Sequence, residues 1–235
     1  MAEKQVIDVA NVETNEVVAK AKDFWSKFSK PIIYAGSAVI LLAGGWLAYK
    51  NFIIAPKNAK AADAIFAAEH LYAKMAQNGF NKDSINLALN GGNGITGFLK
   101  IAKDYKGTDA GNLANYYAGA CYLQGGDFAN AIKYLKGFST SASQIQTMAY
   151  SMLGDASAEL KKNDEALDYY KKASSVNEKD EFMSAFYLFH AGNFAEKTGK
   201  PKEAIELYQK LKTDYPKSSQ AGEIDKYLAK LGVLN

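Results

Sequence analysis

Hydrophobic and polar positions divide the chain into three kinds of segment. Up to Lys30 they mix at helical spacing, with Val17, Ala21, Phe24, Trp25 and Phe28 on one side and Lys20, Asp23 and Lys27 on others. From Ile32 to Tyr49 the charges vanish: IIYAGSAVILLAGGWLAY is eighteen residues long and carries none. Beyond Pro56 helical periodicity returns in KNAKAADAIFAAEHLYAKMAQNG. There Ala61, Ile65, Ala68, Leu71, Tyr72 and Met75 share a face, and Asn78-Gly79 ends the helix. The stretch FNKDSINLALNGGNG is less regular, and ITGFLKIAKDYKG restores the period.

The uncharged run predicts a transmembrane helix. At about 1.5 Å per residue it rises about 27 Å, close to the hydrocarbon thickness of about 30 Å. Tyr34 near one end, with Trp46 and Tyr49 near the other, stand where an aromatic belt belongs. Gly36, Gly44, Gly45 and Ala48 offer close approach to neighbouring helices. The cleavage-like Ala59-Lys60-Ala61 lies ten residues past the run, so an uncleaved signal anchor over residues 31–54 is expected.

Lys20, Lys22, Lys27 and Lys30 precede the span, and Lys50, Lys57 and Lys60 follow it. This lysine excess favours a cytoplasmic N-terminus and a C-terminal domain across the inner membrane, in the periplasm of a Gram-negative cell. Residues 1–30 read as a cytoplasmic tail whose short amphipathic helix lies at the interface, before Pro31 opens the span. That helix is either a plain juxtamembrane anchor or a docking helix for a membrane partner.

In the C-terminal half one pattern occurs three times: a glycine, an alanine twelve residues on, and a bulky residue four after that. The instances are Gly119, Ala131, Leu135; Gly154, Ala166, Tyr170; and Gly192, Ala204, Tyr208. Small residues at fixed spacing mark helices that cross too closely for a larger side chain. Recurrence after 35 and then 38 residues predicts stacked helical hairpins. First helices are expected near 112–124, 147–160 and 184–197, and second helices near 128–137, 164–175 and 201–213. Pro201 suits a first helical turn, and Pro216 a stop.

Residues 218–235 predict a capping helix, with Ile224, Tyr227, Leu228 and Leu231 on one side. Residues 56–111 read as a degenerate first hairpin with a glycine-rich connector, and residues 112–217 as three full repeats. The fold class is all-α: an N-terminal transmembrane helix, then an α-solenoid.

These units resemble tetratricopeptide repeats. Gly154, Ala166, Tyr170 and Ala173 match that family's pattern in the second unit, and Gly192, Ala204, Tyr208 and Pro216 in the third. The first unit departs where Phe138 replaces the usual alanine, so looser packing is expected there. The resemblance implies that first helices line a partner-binding groove.

Carried over, the groove comprises Tyr116 and Gln124; Met148, Ser151, Asp155 and Glu159; and Phe186, Phe189, Asn193 and Glu196, with Leu113, Ala120, Leu123, Ala158 and Lys197 beside them. Equally, several of these side chains would pack against the cap or the first hairpin. The lysine–asparagine clamp of carboxylate-binding repeats is missing, since Tyr116, Ser151 and Phe189 stand where its lysines would be.

The layout as a whole resembles the YfgM-like tetratricopeptide family, ancillary subunits of the bacterial Sec translocon. That implies a scaffold or chaperone-like role. Its partners would be translocon subunits, a membrane-anchored periplasmic chaperone and translocating polypeptides, with membrane lipid around the span. A general envelope assembly scaffold is the rival reading.

Composition narrows the chemistry. Net charge is only +3, and all 28 basic residues are lysines, so the bidentate guanidinium fork of nucleic-acid readers is missing and no nucleic-acid partner is expected. Cys121 reads as a small core residue. Gly92-x-Gly94-x-x-Gly97 has the form of a dinucleotide fingerprint, but its flanks are helical rather than βαβ, and a turn is expected. His70 and His190 fall on separate helices without metal-ligand spacing, and no G-x-S-x-G elbow occurs. No catalytic residue, cofactor or metal is expected.

Overall fold

The computed structural model describes residues 2–233, with side chains from Val18 to Val233. The side chain of Val17 and the last two residues of the expected cap lie outside the described residues. The chain divides after Pro56 into two compact units.

The first unit is one long helix, α1 (Ala2–Tyr49), followed by a π-helical turn over Lys50–Ile54. In that turn the N–H of Ala55 reaches back to the carbonyl of Lys50. The expected break at Pro31 does not occur. Pro31 lies inside α1, so the interfacial helix and the span are one element. An interior proline removes one N–H from the ladder and weakens the helix locally without having to end it. The apolar side chains of the span are exposed, Leu41 and Leu42 at 75% each.

Ten α-helices follow among the described residues, the first of them starting just before the second unit. α2 (Ala55–Asn78) sets Ala61, Ile65, Ala68 and Met75 into the core. α3 (Lys82–Asn90) occupies the stretch read as irregular. Asn81 starts it by accepting the Ser84 N–H at 2.9 Å, and Ile85, Ala88 and Leu89 give it a buried side. The region before the first full repeat is therefore three helices, because α4 (Phe98–Asp104) follows. Between α3 and α4 the glycine-rich segment makes a tight turn closed by an isolated bridge from Gly92 to Ile95. No strand flanks it among the described residues, so the strand–turn–helix frame of a dinucleotide site is not formed.

The hairpins follow as α5 (Asp109–Gln124) with α6 (Phe128–Leu135), α7 (Ser143–Glu159) with α8 (Asn163–Ser175), and α9 (Glu181–Lys197) with α10 (Pro201–Asp214). A short 3₁₀ turn at Ala221–Glu223 leads into α11 (Ile224–Lys230). First helices begin three or four residues earlier than the sequence pattern suggests, since their opening turns precede the glycine–alanine repeat.

Each hairpin turns in the same way. The residue seven beyond each pattern glycine is left-handed: Gly126 at φ 78°, Lys161 at 60° and Gly199 at 77°. The next N–H in each case bonds a carbonyl five residues back, at 2.9 Å: Asp127 to Tyr122, Lys162 to Ser157 and Lys200 to Ala195. This is the Schellman closure of a helix C-terminus.

Three apolar clusters follow one another instead of one central core, as expected when each hairpin buries its face on its neighbours. In the first, Phe98 and Ile101 meet α2 and Cys121; burial pushes the Cys121 thiol up to about 12. In the second, Phe138 is buried just beyond the end of α6 and packs its ring 5.1 Å from Tyr116. The larger side chain is thus accommodated in a loop that folds back, where the family has an alanine on the helix. The third joins α8, α9, α10 and α11 through Leu167, Tyr170, Leu188, Tyr208, Leu211, Ile224 and Leu228.

Candidate functional site

The glycine–alanine pattern sets the spacing between helices. A Cβ added at Gly119 would stand 2.5 Å from Leu135 Cγ, and one at Gly192 would stand 2.5 Å from Tyr208 Cε1. At Gly154 it would run into the Tyr170 ring. Ala131, Ala166 and Ala204 are fully buried opposite. Because the tyrosine rings cross directly over the glycines, their hydroxyls emerge beyond the first helix and meet its acids. Tyr170 donates to Asp155 Oδ1 at 2.8 Å, and Tyr208 donates to Glu196 Oε2 at 3.2 Å.

These bonds decide what the expected groove residues do. Asp155 is half-buried, and desolvation raises its carboxyl above its ordinary value despite the Tyr170 bond. Glu196 also pairs with Lys230 of α11, whose ammonium lowers that carboxyl. Phe189 packs edge-on to Tyr227 of α11 at 5.0 Å, and Asn193 returns its amide to the Phe189 carbonyl at 3.2 Å. Tyr116 is buried between Phe138 and Tyr117, and desolvation raises its phenol.

Tyr116 is therefore a core residue and not part of an open surface, because α5 turns that side toward the loop after α6. Phe189 and Glu196 are held by the cap. Ser151 is half-buried, while Gln124 and Glu159 are exposed.

Two other members of the expected face remain open and apolar. Met148 and Phe186, each six residues before a pattern glycine, are 47% and 44% exposed. One turn earlier on the same helices, Ile145 and Phe182 are also exposed. Those two were missed because they precede the repeat pattern. Their only signal was helical spacing to Met148 and Phe186.

His190 lies beside this face. Its ring meets Tyr170 edge-on at 4.5 Å, and its Nδ1 is buried without a hydrogen-bond partner among the described residues. Desolvation lowers its imidazole below its ordinary value. His70 is exposed on α2. A polar cleft of about 590 Å³ opens where α4 meets α5, but Asn112 there is already bonded to the Ser139 backbone through both amide atoms.

In the first unit, Tyr34, Trp46 and Tyr49 are exposed, and a Cβ at Gly36, Gly44 or Gly45 would meet nothing within 4 Å. Among the described residues one helix is long and apolar enough to cross a membrane, with a mean hydropathy of 1.7 over its most apolar window.

A family profile described as a tetratricopeptide repeat-like domain matches residues 22–231, a stretch that takes in the apolar helix as well as the array. Comparison with curated proteins returned no match. Domains of this kind are protein-interaction scaffolds and typically non-catalytic. With hairpins spaced by glycine and alanine and closed in the same way, the chain belongs to the tetratricopeptide repeat-like domain family.

Proposed function

We propose that this protein is a membrane-anchored scaffold of the YfgM-like kind, an ancillary subunit working beside the Sec translocon. The apolar part of α1 spans the inner membrane with its N-terminus cytoplasmic. The repeat array stands in the periplasm and binds partner proteins or emerging chains. Exposed Met148 and Phe186 carry the reading: they are apolar, stand at equivalent places in successive repeats, and keep nearly half of their surface open. Apolar side chains repeated at that interval suit an extended or helical polypeptide. The family match, which runs through the apolar helix, supports an anchor and array acting together.

Affinity isolation after mild detergent extraction tests this. The full chain should recover channel subunits and a membrane-anchored chaperone. Met148→Asp with Phe186→Asp should reduce that recovery severalfold while leaving thermal unfolding nearly unchanged. Recovery of other envelope proteins without channel subunits would favour a general assembly scaffold instead. A reporter at the C-terminus that is active only in the cytoplasm would reverse the orientation.

A further inference from the structure

The part of α1 that precedes the uncharged run has two unlike sides. Phe24, Trp25 and Phe28 are 56%, 57% and 40% exposed, and the two phenylalanine rings lie 4.9 Å apart. At about 100° per residue they share one side with Ala21, and Ile32 carries that side into the span. The other sides hold Lys20, Lys22, Lys27 and Lys30, against the single acid Asp23. Pro31 interrupts the hydrogen-bond ladder between the two parts, which is where a helix bends most easily.

We propose that residues 20–30 dock on the headgroup layer of an anionic bilayer. Phe24, Trp25 and Phe28 enter the boundary between headgroups and acyl chains, and Lys22, Lys27 and Lys30 face lipid anions. Continuity of the aromatic side with the span places it at the bilayer surface, so the proposal rests on α1 crossing the membrane. Charge selects the lipid: each lysine near an anionic surface shifts the docked-to-free ratio about fivefold, and a zwitterionic surface supplies none of this. Partly exposed aromatic rings supply the apolar contribution.

The chain has two tryptophans, which separate this inference from the reading it rests on. The full chain is reconstituted in vesicles of phosphatidylcholine alone or mixed with phosphatidylglycerol. Trp25→Phe leaves Trp46 to report the span, and Trp46→Phe leaves Trp25 to report docking. Trp46 should be shielded from water in both lipids. Trp25 should shift to shorter wavelength, and be quenched by a headgroup-depth spin label, only with phosphatidylglycerol. Raised salt should reverse the shift. In the Trp46→Phe background, Lys27→Gln with Lys30→Gln should lower the docked-to-free ratio roughly 25-fold.

The same Trp25 environment in both lipids, with Trp46 shielded, would overturn docking and leave the span intact. A shielded Trp25 that the lipid-borne quencher cannot reach would assign the aromatic side to a protein and also overturn it. Water-exposed Trp46 would remove the span and the proposal together.

Discussion

Lys161 occupies a position that its counterparts fill with glycine. Gly126 and Gly199 adopt positive φ freely, whereas a side chain there costs about 1–2 kcal/mol. Glycine also adds freedom to the unfolded chain, worth about 0.5–1 kcal/mol in the opposite direction. Lys161→Gly should therefore raise stability by up to about 1 kcal/mol, seen as a melting point about 2–4 °C higher for a unit of this size. A lower melting point would show that the lysine side chain contributes more than its backbone strain removes.

His190 makes a second prediction, from pH. Its folded value is depressed, chiefly by burial, while Asp155 opposes that depression and Lys197 adds to it. Protonation would also require an N–H at Nδ1, which has no hydrogen-bond partner among the described residues. Stability from the neutral ring is thus present above the ordinary value near 6.5 and is lost as pH falls through the folded value. Asp155 acts in the opposite sense, since its raised carboxyl favours the fold below its ordinary value and loses that contribution as pH rises. Unfolding followed between pH 7.5 and 5 should show declining stability in the wild type and a flatter profile for His190→Gln. Parallel profiles would mean that His190 stays neutral in both states. The sequence placed His190 on a packed helix, but its approach to Tyr170 and Asp155 depends on three helices meeting and has no local signature.

Among elements, the closeness of each hairpin is set by one missing side chain. In an exposed helix, Gly→Ala stabilises by about 1 kcal/mol through helix propensity. At Gly192 the added methyl would meet Tyr208, whose ring is fully buried and whose hydroxyl is bonded to Glu196, so it has nowhere to retreat. Overpacking typically costs about 1–3 kcal/mol. The clash should win, and Gly192→Ala should lower the melting temperature of the unit, by about 2–4 °C for each net kcal/mol lost. An increase would mean that α9 and α10 separate at little cost.

This part of the fold was legible residue by residue, because a steric rule repeated three times leaves a period. The start of the array was less so. α3 lies where glycine and asparagine obscure the period, and its buried side rests on only Ile85, Ala88 and Leu89. Pro31 misled for a related reason: a proline marks a weak place in a helix, and surrounding residues decide whether the helix ends there.

At the largest scale, the buried residues among those described belong to the second unit, and the described apolar side chains of the first are exposed. Residues 57–235 expressed without the anchor should therefore remain soluble, helical and cooperatively unfolding, as circular dichroism with a thermal scan would show. A non-cooperative profile would mean that the array depends on the segment before Lys57.

The all-α class, the apolar helix, and the identity and phase of the three repeats are legible in the order of residues. Each follows from local rules: helical period, absence of charge, and small residues where helices cross. Which side chains of the first helices stay open depends on how the hairpins pack. Tyr116, Phe189, Asp155 and Glu196 have the same intrinsic character whether exposed or packed; the positions of Phe138, the cap and the two crossing tyrosines bury Tyr116 and leave the other three half-buried and engaged within the unit. Met148 and Phe186 remain exposed, at 47% and 44%. Helix periodicity is written in neighbouring residues, whereas exposure depends on what distant residues leave uncovered.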